Sequence, residues 1–265
     1  MEGKCAVYRT QLPLGFYLGR GGRLNPRDFL QWAQETVQHL WSANFSNFAE
    51  LRITPERTIF MRNLGLTFTP RYHEIDWKDN SAPRLLEVEV FNSHTGRTSF
   101  EITIRWYCDG YLIATLLRKM VYVSAKSGKP VELPEEFASR NRVHCPTTFS
   151  LEEAVPRDAA QTSLAVRPSD LDFNMHVGHV TYIDYILDSA CTCKYRYVAS
   201  DLMKEQRIKG IELEYRYPVG LGKKVVVKTW DCDAEEGVGV NFVLSQKEGI
   251  SNRTVCLARV QLYDG

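Results

Sequence analysis

The chain lacks an excess of either charge: 33 Lys and Arg stand against 32 Asp and Glu, a formal net charge of +1. Nucleic-acid binders normally carry a basic excess or stripe, so nucleic acid is not an expected partner. No run of 18 apolar residues is present, and the start of the chain, from Met1 to Arg9, has neither an apolar leader core nor an Arg/Ser-rich transit pattern. These absences lead to the expectation of a soluble, cytoplasmic protein without membrane insertion, or one of an organelle lumen if an import segment was removed. The seven cysteines (Cys5, Cys108, Cys145, Cys191, Cys193, Cys232 and Cys256) contain no Cys-x-x-Cys and no His spacing of the zinc type. They are expected to be reduced thiols, and neither a metal nor a cofactor site is anticipated.

What the chain does have is apolar patterning in two alternating periods. Residues 25–41 carry Phe29, Leu30, Ala33, Val37, Leu40 and Trp41 at helical spacing, with Asn25 as N-cap and Pro26 in the first turn. Farther on, Phe100, Ile102, Ile104 and Trp106 alternate with Glu101, Thr103, Arg105 and Tyr107, and Asp109-Gly110 then marks a tight hairpin turn into Tyr111. With strands expected near 58–69 and 84–91, the first half reads strand, helix, four strands.

The second half repeats that order. It has a strand near 162–167, a helix from about Gly178 to Lys194, and strands near 211–217, 224–231, 238–245 and 254–263. At an offset of 153 residues Phe29 meets Tyr182, Trp32 meets Tyr185 and Glu35 meets Asp188, whereas Gly19, Gly21 and Arg23 meet Asp172, Asn174 and His176. The scaffold matches and the polar residues ahead of the helix do not. Residues 124–160 are rich in Pro, Lys, Glu, Ser and Arg and read as a connection. The expected organisation is a first repeat over 1–125, a linker over 126–159 and a second repeat over 160–265. A helix followed by one-face-apolar strands is an α+β unit in which sheet wraps helix, and two copies could join edge strands into one sheet.

The chemistry-bearing stretch runs from Arg167 to Tyr185. Asp172, Asn174 and His176 occupy alternating positions, which in an extended segment point the same way. A carboxylate, an amide and an imidazole ahead of a helix N-terminus suit acyl transfer: the carboxylate as base or nucleophile, its neighbours as orienters, and backbone N–H groups near Val177 and Gly178 as the oxyanion site. Asp, Asn and His are also ordinary capping and turn residues, but the first repeat keeps the scaffold without them.

Asp170-Leu171-Asp172-Phe173-Asn174-Met175-His176-Val177-Gly178-His179-Val180-Thr181-Tyr182 resembles the Asp-Leu-Asp-x-Asn-x-His-Val-Asn-Asn-x-x-Tyr signature of acyl-acyl-carrier-protein thioesterases. Those enzymes are tandem hot-dog proteins. Gln34-Glu35-Thr36 and Leu213-Glu214-Tyr215-Arg216 extend the similarity along nearly the whole chain. The resemblance implies two tandem hot-dog repeats forming a pseudo-dimer, the first non-catalytic. It further implies hydrolysis of a fatty acyl thioester to free fatty acid and thiol, with Asp172, Asn174 and His176 at the catalytic positions. This chain departs from the signature twice. Gly178-His179 stands where the family has Asn-Asn, and Pro218-Val219 stands where it carries a Glu and a Cys after the Leu-Glu-Tyr-Arg strand.

Secondary candidates are Asp184, on the helix as in relatives that rely on one carboxylate, and His179, which could replace a lost polar contact. Asp188 is assigned a structural role, Tyr182 and Tyr185 core packing, and His73, His94 and His144 no role. An acyl tunnel would draw on Phe29, Leu30, Trp32 and Trp41 of the first repeat. The carrier is open between coenzyme A and acyl carrier protein; Lys194, Arg196, Lys223 and Lys224 are candidates for docking an acidic carrier. Monomer (a pseudo-dimer) and homodimer are both compatible with the sequence. The rival reading is a non-catalytic acyl-binding module, and a dehydratase ranks third.

Overall fold

The computed structural model describes residues 6–12, 26–42, 48–51, 53–77, 84–140, 151, 153–172, 174–192, 207–234, 237–249 and 251–263. The chain divides into two compact units, Met1–Phe149 and Ser150–Gly265.

In the first unit, β1 (Ala6–Leu12) precedes helix α1 (Pro26–Ser42), followed by β2 (Arg57–Phe68), a short helix α2 (Pro70–Glu74), β3 (Arg84–Thr95), β4 (Ser99–Cys108), β5 (Tyr111–Ser124) and a short helix α3 (Glu135–Arg140). The strands lie in the order β1-β3-β4-β5-β2 with every pairing antiparallel. The sequence reading of strand, helix, four strands is therefore what forms, and the Asp109-Gly110 turn closes the β4–β5 hairpin with both residues at positive φ, 51° and 81°. That matches a two-residue turn whose twist suits the flanking strands.

The α1 periodicity buries Phe29, Leu30, Ala33 and Val37. Phe29 sits at the centre, edge-on to Phe68 at 5.2 Å, Trp106 at 5.3 Å and Tyr72 at 5.8 Å between ring centroids. Trp106, Ile104, Ile102 and Phe100 are all buried, as alternation on one sheet face requires. The Pro-rich stretch after β5 is not featureless: Leu133 and Phe137 are buried, and Phe137 lies 5.1 Å from Phe100. Asn25 and the side chain of Trp41 lie outside the described residues, as do Gly19, Gly21 and Arg23.

The second unit holds β6 (Ala160–Ala165), helix α4 (Thr181–Thr192), β7 (Ile208–Tyr215), β8 (Lys224–Ala234), β9 (Gly237–Glu248) and β10 (Ser251–Leu262). Its strand order, read from β6, is β6-β8-β9-β10-β7, again antiparallel throughout. First strand, third, fourth, fifth, second is the order in both units, so the internal repeat is a repeat of topology. Helix α4 buries Tyr182, Ile183, Tyr185, Ile186, Ser189 and Ala190. Tyr182 packs edge-on to Tyr215 at 5.3 Å, and Thr162 of β6 donates to Ser189 Oγ at 2.8 Å.

Cys108, Cys191, Cys232 and Cys256 are reduced thiols; Cys5, Cys145 and Cys193 lie outside the described residues. Among the described residues no helix is long and apolar enough to cross a membrane. Since Phe29 fills the space between one helix and the sheet, Phe29→Ala is expected to lower the unfolding free energy by about 3–5 kcal/mol, measured by denaturant titration.

Candidate active site

Between β6 and α4 the chain makes a small closed structure. Leu171 bridges Val177 antiparallel, and the Asp172 N–H donates to the His176 carbonyl at 2.8 Å. Asp172 and His176 therefore stand opposite each other across a tight hairpin, and directly opposite residues share a face. Three residues connect them. The last, Met175, has φ 60°, the left-handed conformation that a three-residue hairpin loop uses at that point. Met175 N–H also donates to Asp172 O at 3.0 Å. The segment is thus a hairpin rather than the extended run expected from the alternation, and Asp172 and His176 meet because the chain turns back.

Asp172 Oδ1 accepts the backbone N–H of Asn174 at 2.8 Å and, more loosely, that of His176 at 3.4 Å. This Asp-turn arrangement fixes the carboxylate through Oδ1, and among the described residues no backbone N–H donates to Oδ2. Asp172 is half-buried, whereas Asn174 and His176 are exposed. The hairpin is paired on its other side as well: His176 bridges Gly220, and Val177 N–H donates to Val219 O at 2.8 Å. The loop after β7 therefore lies against the carboxylate–imidazole pair, and its Pro218, Val219 and Gly220 bring no titratable group there.

Two expectations need correction. The helix was placed from Gly178, but α4 begins at Thr181. Val177 and Gly178 were assigned the oxyanion N–H groups of a first helical turn, yet these are engaged: Val177 donates to Val219 O, and Gly178 to Asp170 O at 2.9 Å. Closing the hairpin consumes both amides. A side chain added at Gly178 would meet Thr181 Oγ1 at 3.6 Å and Asp172 Cβ at 3.8 Å, ordinary contact distances, so the position flanks Asp172 without being sterically closed. The secondary candidates are placed as follows. His179 is half-buried, and its carbonyl accepts the Tyr215 hydroxyl at 3.0 Å. Asp184 is half-buried in the first turn of α4, and Asp188 is exposed, one turn farther along. Lys223 and Lys224 are exposed; Lys194, Arg196 and His144 lie outside the described residues.

The residue that sequence reasoning missed is Asp170. It is only 4% exposed. Its Oδ2 accepts the Arg167 backbone N–H at 2.7 Å and the Tyr185 hydroxyl at 2.8 Å, and its Oδ1 accepts Arg167 Nη2 at 3.1 Å. Its carbonyl takes the Gly178 N–H and the Thr181 hydroxyl, the latter at 3.3 Å. Burial pushes the Asp170 carboxyl up, but the Arg167 backbone N–H, the guanidinium and the Tyr185 hydroxyl more than offset this and hold it below the usual carboxylate range. Burial, then the hydrogen bond to Asp170, raises the Tyr185 phenol. The available signal was Arg-Pro-x-Asp ahead of the hairpin, an acid three residues after a turn-initiating position. Among the described residues no group of three or more His, Cys, Asp or Glu side chains could hold a metal ion.

Residues 153–260, nearly all of the second unit and the whole of this site, match the family model described as Acyl-ACP thioesterase C-terminal domain. Over those residues the second unit is similar to acyl-ACP thioesterase C-terminal domains. The motif resemblance read from Asp170 to Tyr182 therefore stands. The chain is 27% identical over 176 residues to oleoyl-acyl carrier protein thioesterase 2, chloroplastic, of Arabidopsis thaliana, a match covering 60% of this chain and 46% of that protein. The match thus spans under half the length of that curated relative. Among solved structures, the 12:0-ACP thioesterase from Umbellularia californica superposes with a TM-score of 0.75 at 15% identity, covering 98% of this chain and 94% of that one. An acyl-ACP thioesterase from Bacteroides thetaiotaomicron gives 0.68 at 17% identity, covering 98% of each chain. At these identities the likeness establishes the fold: α+β, with hot-dog repeats.

Asp170 lies below its ordinary value near 3.9, so its stabilisation is present above that pH and is lost as pH falls through the lower folded value. Asp170→Asn is expected to cost about 1–3 kcal/mol at neutral pH and to flatten the loss of stability below about pH 4, read from thermal melts across pH.

Proposed function

We propose that this protein hydrolyses fatty acyl thioesters to free fatty acid and thiol, with the reaction at the hairpin of the second unit. The observation that carries the proposal is the opposition of Asp172 and His176 across the hairpin, with Asp172 Oδ1 held by backbone amides. Asp172 acts as general base on water. The water oxygen bonds to the thioester carbonyl carbon, its proton passes to Asp172, and negative charge develops on the carbonyl oxygen. With the Val177 and Gly178 amides engaged, that charge falls to the side chains of Asn174 and His176, which are exposed and make no side-chain hydrogen bond among the described residues. Collapse of the tetrahedral intermediate breaks the C–S bond, and the thiolate recovers a proton delivered through His176. Asp184 and His179, both half-buried, remain supporting candidates.

The carrier in this reading is acyl carrier protein, as in the names of the relatives, and it would dock on cations beside the site. Lys223 is joined to the site loop: its N–H donates to Gly220 O, and its carbonyl accepts the Val166 N–H. Lys223 and Lys224 then stand at the edge of the hairpin that holds Asp172. Lys223→Glu combined with Lys224→Glu is expected to lower kcat/KM on acyl carrier protein substrates about 5–10-fold, in a salt-dependent way. Hydrolysis of an uncharged acyl N-acetylcysteamine thioester should be unchanged.

A second reading has one observation in its favour: Val219 and Gly220 pair with the hairpin yet, like Pro218 before them, supply no carboxylate. It makes the protein an acyl-binding module without turnover. Thiol release from a panel of acyl-carrier-protein and acyl-coenzyme A substrates of several chain lengths decides between them. Asp172→Asn is expected to lower kcat by about 10²–10⁴-fold with the fold intact, and His176→Ala by at least about tenfold. Binding of acyl ligands with no thiol release from any substrate would establish the second reading.

A further inference from the structure

We infer that Tyr185, acting through the buried carboxylate of Asp170, is a positioning residue for Asp172. The chain of contacts is short and continuous. The Tyr185 hydroxyl on α4 donates to Asp170 Oδ2 at 2.8 Å in a buried setting, and the Arg167 N–H donates to the same oxygen at 2.7 Å. The Asp170 carbonyl in turn receives the Gly178 N–H, and Gly178 directly follows the Leu171–Val177 bridge that closes the hairpin. Asp172 is the next residue inside that bridge. Any tilt of Asp170 therefore moves both ends of the hairpin and, with them, the carboxylate whose Oδ1 is tied to the Asn174 amide.

The Tyr185 position has a described counterpart in the first repeat. At the offset of 153 residues, Arg167, Asp170 and Tyr185 correspond to Leu14, Tyr17 and Trp32. The first repeat folds into the same strand order, and at the Tyr185 position its Trp32 packs edge-on against Phe29 at 5.6 Å; Leu14 and Tyr17 lie outside the described residues. The scaffold thus forms without a phenol at the Tyr185 position. Burying a carboxylate is costly unless its lone pairs are answered, and the Asp170 carboxylate, answered by Arg167 and Tyr185, stands two residues from Asp172 at the base of the hairpin. The phenol ring of Tyr185 packs in the core as expected from its spacing, and its hydroxyl has this separate role.

The inference rests on the hydrolytic reading for its kinetic consequence but not for its structural one, and the experiment keeps the two apart. Tyr185→Phe removes one hydroxyl. Ser189→Ala, one turn along the same buried face of α4, removes the comparable 2.8 Å hydrogen bond from Thr162 and serves as the control. In Tyr185→Phe, kcat on acyl thioesters is expected to fall about tenfold with KM within about twofold, and exchange protection of the Asn174 and Gly178 amides to fall about tenfold. Ser189→Ala should show a similar shift in Tm with neither change. If Tyr185→Phe leaves kcat and both amides within twofold of wild type, or if Ser189→Ala reproduces every effect, the positioning role is overturned. If wild type hydrolyses no thioester while the two amides still lose protection in Tyr185→Phe alone, the hydrolytic reading falls and the positioning of the hairpin by Tyr185 stands.

Discussion

Buried backbone N–H and C=O groups must find partners, and in the second unit that requirement shapes everything around Asp172. The seven residues from Leu171 to Val177 could not form a helix with Met175 at φ 60°, nor run on as a strand into α4. They close on themselves, with Asp172 N–H to His176 O, and pair outward to Val219 and Gly220. Once that ladder is complete, Asp172 and His176 stand at facing positions, and the Val177 and Gly178 amides are already occupied.

This arrangement separates two aspartates two residues apart. Asp170 is sealed in, with its carboxylate oxygens taken by Arg167 and Tyr185, and is held ionised. Asp172 is half-buried and tethered through Oδ1 to the Asn174 amide. In the proposed reaction the first serves as structure and the second as reagent, the kind of division that environment imposes on chemically identical groups. Val219 and Gly220 of the loop after β7 pair with the hairpin through backbone, and in that proposal Asp172 is the carboxylate that activates water.

Much of the architecture could be read in advance because it follows from local periodicity. The alternation of Phe100 to Trp106, the Asp109-Gly110 turn and the spacing of Phe29, Leu30, Ala33 and Val37 each specify an element without reference to distant residues. The repeat offset then tied the two halves together, and both units share one strand order. The site was legible as residue types but not as geometry. The start of α4 moved from Gly178 to Thr181 because the Val177 and Gly178 amides bond to Val219 and Asp170, and no local pattern reports a partner 42 residues away. The Tyr185 hydroxyl escaped notice for a related reason: its spacing marks a core position, and only the fold brings Asp170 beneath it. The family match over residues 153–260 agrees with the motif because that motif is the hairpin itself.

The central claim is that Asp172 activates water at a thioester carbonyl. A single turnover in oxygen-18 water, with enzyme in excess over an acyl-carrier-protein substrate, tests it directly. The account predicts that the released fatty acid carries one solvent oxygen in its first turnover and that Asp172→Asn releases none. Fatty acid formed without the label would make Asp172 the attacking nucleophile, and no fatty acid at all from wild type on any acyl thioester would remove the hydrolytic reading.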